Sequence, residues 1–138
     1  MKRIIVAFLF IVLAFSVFAG EGAKPSLKSV MKNLGKSMDD LNYGIFYEDF
    51  KKIEEAAANI ADHPKPKSQL PTIIKTLNIR MPRFKSFDSK VHDSAKEIVE
   101  LAQKKDMNGI LKKHKVIMKN CVACHSQFRS EVSRALSK

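Results

Sequence analysis

Cys121-Val122-Ala123-Cys124-His125 places two thiols and an imidazole within five residues, and these are the only two cysteines of the chain. On a helix, positions i, i+3 and i+4 share one face. Two thiols so placed can reach the two vinyl groups of one porphyrin edge, and the adjacent imidazole comes up under the iron. The spacing is that of the C-x-x-C-H attachment signature for c-type haem. Cys121 and Cys124 are therefore read as the thioether donors to one covalent haem c, and His125 as its proximal iron ligand. Other chemistries compete for the same residues. A disulfide between cysteines so close would close too short a loop to constrain the unfolded chain. A thioredoxin-like dithiol needs a strand before the helix, in a β-containing fold that this sequence does not predict. A zinc site needs a further ligand; His114 lies on the same side of the helix, but a lone histidine there reads as a surface or boundary residue.

The opposite face of the iron needs a ligand from upstream. Thirteen residues follow His125 and none is Met. Met107 and Met118 share the helix of His125 and cannot reach the far side, which leaves Met31, Met38, Met81, His63 and His92.

The elements that must hold these residues are helical throughout. Gly is scarce, with five residues in all, and no strand-like alternation occurs. A first helix is expected from Ser26, a good N-cap, to about Asn42, with Gly44 available to end it. Its stripe is Leu27, Val30, Met31, Leu34, Met38 and Leu41. A second is expected over about 46–62, with Phe46, Phe50, Ile53, Ala57 and Ile60 on one side. Pro64, Pro66 and Pro71 then make a connector, and residues 72–82 resist assignment. A third helix is expected over about 83–105. The last starts at an Asp106 or Asn108 cap and carries Ile110, His114, Ile117, Cys121, Cys124, Phe128, Val132 and Ala135. Four amphipathic helices with short links predict an all-α, antiparallel four-helix bundle, with the haem near the C-terminal helix.

A four-helix chain of this size, with His125-Ser126-Gln127-Phe128-Arg129 in its last helix and Val30-Met31-Lys32-Asn33-Leu34-Gly35-Lys36-Ser37-Met38 in its first, resembles the cytochrome c-prime family over roughly residues 26–133. In that family one first-helix position packs over the distal haem face, and the register puts Met31 there. The resemblance implies a six-coordinate, low-spin electron carrier with Met31 as the distal ligand; plain core packing is the other reading of Met31. Arg129 is a candidate contact to a haem propionate or simply an exposed helical arginine. Where family members often carry an Arg near the propionates this chain has Leu27 and Lys28, and it lacks the family's Trp. Pairing of two copies through the first helices is a further implication, although no exposed apolar patch is legible.

The first nineteen residues read as an export leader. Lys2 and Arg3 precede an apolar run from Ile4 to Phe18, and cleavage is expected after Ala19. The run is short for a membrane span, so residues 20–138 are expected as one periplasmic domain without a membrane anchor. The formal net charge is +11, and loss of Lys2 and Arg3 with the leader leaves +9. Export argues against nucleic acid, so the basic balance points to acidic redox partners or to a plain solvated surface. Lys112, Lys113, Lys115 and Lys119 are the candidate docking cations. The expected function is single-electron transfer by a His/Met-ligated monohaem cytochrome. Its alternative is a five-coordinate haem protein that binds nitric oxide or carbon monoxide. No catalytic constellation is found, and an enzyme is not expected.

Overall fold

The computed structural model describes residues 24–138, so the leader expected over residues 1–19 lies outside the described residues. Five helices follow in order: α1 (Leu27–Phe46), α2 (Phe50–Ala61), α3 (Leu70–Leu77), α4 (Met81–Gln103) and α5 (Met107–Leu136), with a 3₁₀ turn at Asn78–Arg80 leading into α4. No strand occurs among the described residues. No described helix is long and apolar enough to cross a membrane.

Local chemistry sets the helix starts. Ser26 caps α1 in a reciprocal box with Ser29, Asp49 accepts from the Lys52 amide to open α2, and Asp106 accepts from the Gly109 amide to open α5. Glu48 and Lys105 take positive φ where the chain reverses.

Two expectations need correction. Gly44 does not end α1; it is buried inside the helix, and a Cβ there would lie 2.8 Å from the Ile53 side chain and 3.0 Å from its amide nitrogen. Its lack of a side chain lets α2 approach closely. The helix therefore runs on to Phe46, which is 84% exposed and no part of the α2 stripe. Pro71 likewise does not extend the connector. It sits in the first turn of α3, as Pro82 does in α4, where a missing amide hydrogen costs nothing.

Four long helices pack together through the pairs α1–α2, α2–α4 and α4–α5, while α3 lies on α5. The apolar interior has two parts. The larger includes Leu41, Ile53, Ala57, Ile60, Ala95, Ile98, Ile110 and Ile117, contributed by all four long helices. The smaller gathers Ile73, Leu77, Met81, Phe128 and Val132 around α3 and the second half of α5. Phe128 sets its ring edge-on to Phe84 at 5.7 Å between centroids. Such a pair is worth roughly 0.5–1.5 kcal/mol beyond the area it buries.

Candidate functional site

The first and last helices do not pack closely along their length. At one end they are tied by the His114 imidazole, whose Nε2 lies 2.8 Å from the Asn42 amide oxygen. At the other end they stand apart around a cleft of about 750 Å³, within the size range of small-molecule and cofactor sites. Leu27, Lys28, Met31 and Lys32 of α1 line one side; Cys124, His125, Phe128, Arg129 and Val132 of α5 line the other. Gln69 also contributes, and its side-chain oxygen accepts the Leu27 amide at 2.6 Å, fixing the start of α1 over the cleft.

Four of the five candidate site residues thus share one cleft. The fifth, Cys121, does not line it. It packs against the larger apolar cluster and Cys124 against the smaller, so the motif sits where the two cores meet. The two thiols are one helical turn apart, free and partly buried. Burial, the neighbouring Cys121 thiol and the Asp88 carboxylate push Cys124 up to about 11, and burial raises Cys121 as well. Both are protonated near neutrality, the opposite of the lowered thiol that a thioredoxin-like dithiol uses. Among the described residues neither cysteine belongs to a group of three metal-binding side chains, and His114 is turned to Asn42.

The upstream candidates separate cleanly. Met38 packs against the larger core and Met81 is buried in the smaller. His63 and His92 stack on one another with ring centroids 4.5 Å apart and line a different cavity. Met31 belongs to neither core, keeps 38% of its surface exposed and lines the cleft with His125.

The cleft lining is mixed, with an apolar part and a cationic part. Leu27, Phe84, Phe128, Val132 and Leu136 give it an apolar wall, and Lys28, Lys32 and Arg129 offer cations. Leu27, at the place where the resemblance leads one to expect an arginine, lines the cleft beside Lys28. None of Lys112, Lys113, Lys115 and Lys119 lines it, and Lys113 is held by Glu97 of α4. Sequence reading missed Gln69 and Lys32. Gln69 acts across 42 residues of chain, a contact that leaves no local signal; Lys32 was legible, one step past Met31.

No family model, curated protein or solved structure matches this chain.

Proposed function

We propose that the chain is an exported, periplasmic, monohaem cytochrome of the c-prime type, built as an antiparallel four-helix bundle, that carries single electrons and catalyses no reaction itself. The observation that carries this reading is the joint lining of one cleft by Met31, Cys124, His125 and Arg129, beside a C-x-x-C-H run at 121–125. The antiparallel arrangement has its support in the pairing of Asn42 with His114 at one end and of residues 27–32 with 124–136 at the other. Haem c, when bound, supplies a one-electron Fe(III)/Fe(II) couple whose potential a His/Met ligand pair raises.

The protein's own residues would divide the work. Cys121 and Cys124 would hold the ring through thioethers, and His125 and Met31 would ligate from α5 and α1. Phe128, Phe84 and Val132 would keep water from one side. Lys28, Lys32 and Arg129 would meet the ring's carboxylates or an acidic redox partner. Two copies would pair through α1, where the exposed Tyr43 and Phe46, with Tyr47 just past the helix end, offer an apolar surface.

The competing reading, a five-coordinate binder of nitric oxide or carbon monoxide, draws on the exposure of Met31 beside an open cleft. One substitution separates them. The wild-type protein is expected to give low-spin, six-coordinate bands, and Met31→Ala to convert them to a high-spin spectrum. A high-spin wild type favours the gas binder, and an unchanged spectrum in Met31→Ala removes Met31 as a ligand.

A further inference from the structure

A second group of donor atoms lies outside the cleft. His63 follows the end of α2 and His92 sits on α4. The last carbonyls of α2 have no partner within the helix, and the two imidazoles use them. His63 Nδ1 lies 2.9 Å from the Ile60 carbonyl oxygen, and His92 Nδ1 lies 2.5 Å from that of Ala61. A carbonyl only accepts, so each Nδ1 carries the hydrogen, and in the neutral ring Nε2 keeps its lone pair. This is the outer hydrogen bond that fixes the tautomer and orientation of metal-bound histidines.

The two rings stack within 21° of parallel, and both Nε2 atoms face one carboxylate. Asp88, one turn before His92 on the same face of α4, sets its oxygens 3.9 Å from His63 Nε2 and 3.7 Å from His92 Nε2. Both separations exceed the ~2.7–3.2 Å of a hydrogen bond, so the carboxylate is not simply bonded to either ring. The three ligand atoms lie within 4.8 Å of one another. Around a tetrahedral ion with bonds of about 2.0–2.1 Å, ligand atoms stand roughly 3.3 Å apart. The two contacts, each made by a different Asp88 oxygen, are longer than that spacing. Binding one ion requires the Asp88 side chain to turn and the group to draw in from its present span of under 4.8 Å. The group opens on a cavity of about 520 Å³ bordered by Asp62, Asp93, Lys65 and Lys96. Counting Asp88, the acids there outnumber the bases by one.

We propose that His63, Asp88 and His92 form a metal site for a divalent ion of the Zn²⁺ class, with the remaining position open to solvent. Two imidazoles and one carboxylate suit zinc and its neighbours and do not suit Ca²⁺ or Mg²⁺, which seek oxygen donors. None of its ligands lines the cleft, although the Asp88 carboxylate stands near enough to Cys124 to raise its pKa.

The test is a titration of the mature full-length protein with Zn²⁺ against a chromogenic chelator. One zinc per chain is expected. Loss of an outer-shell partner alone costs roughly 10–100-fold, so Asp88→Asn, His63→Gln and His92→Gln, each of which removes a ligand, should weaken binding by at least about tenfold. Asp88 is half exposed, so Asp88→Asn keeps the test open if a histidine variant fails to fold, with helical circular dichroism as the check. X-ray absorption at the zinc edge should give a nitrogen/oxygen shell at about 2.0–2.1 Å with imidazole scattering. The proposal is overturned if wild type binds no tighter than the variants, or if a sulfur shell at about 2.3 Å puts the ion on the cysteines.

Discussion

His114 joins α5 to α1 through Asn42, and its half-buried ring carries a consequence for stability. Burial lowers its pKa from the ordinary 6.5. Below 6.5 the unfolded chain takes up a proton that the folded chain resists, so stability falls as pH drops through that value toward the lower, folded one. Above it both forms are neutral and the contribution disappears. In urea melts between about pH 7 and about pH 5, wild type should therefore lose more stability than His114→Gln. Parallel curves for the two would show that this ring does not titrate differently on folding. Met31 and Met38 differ in what lies opposite them. Both fit the apolar stripe of α1 by spacing, yet Met38 is spent on the core and Met31 is left for the cleft. Periodicity places a residue on a face; it does not say what fills the space opposite.

At the scale of the helices, two glycines of α1 make a paired prediction. Gly35 has open space around its missing Cβ, so Gly35→Ala should stabilise the protein by about 0.5–1 kcal/mol through helix propensity alone. Gly44→Ala must displace Ile53 or the start of α2 and should cost about 1–3 kcal/mol. Denaturant midpoints of both variants decide it, and equal shifts would contradict the close approach of α1 and α2. In the smaller core, Phe128→Ala should cost about 3–5 kcal/mol, since Phe128 is buried against Phe84 and Phe87; a loss under about 1 kcal/mol, well below that range, would mean this core is dispensable. These residues also show what sequence could and could not convey. Ser26, Asp106 and the 3.6-residue stripes announced the caps and buried faces of three long helices, because caps and stripes are local. Gly44 was misread as a terminator, since a glycine that ends a helix and one that admits a neighbour look alike until the neighbour is known. Pro71 hid α3 for a similar reason: a proline forbids the middle of a helix and favours its first turn, and only Ile73 and Leu77 beyond it tell which applies.

For the whole molecule, charge and the opening between α1 and α5 act together. The cations that face the cleft are Lys28, Lys32 and Arg129 rather than the run at 112–119. Reversing both lysines, Lys28→Glu with Lys32→Glu, should slow association with an acidic redox partner at low ionic strength. The difference should shrink as salt shortens the screening length to about 8 Å at physiological strength. Association rates measured across a salt series would reveal this, and rates indifferent to both changes would remove the cleft mouth as a docking surface. Apart from α3, most of the architecture followed from local pattern, whereas the cleft lies between the first and last helices and could not be read from either of them alone. The proposed electron transfer requires a covalently held ring. Made with its leader in a bacterial host competent for cytochrome maturation, the purified protein should have the mass of the chain from residue 20 plus one haem, and a Soret band. A protein with the mass of its bare polypeptide and no Soret absorption would contradict it.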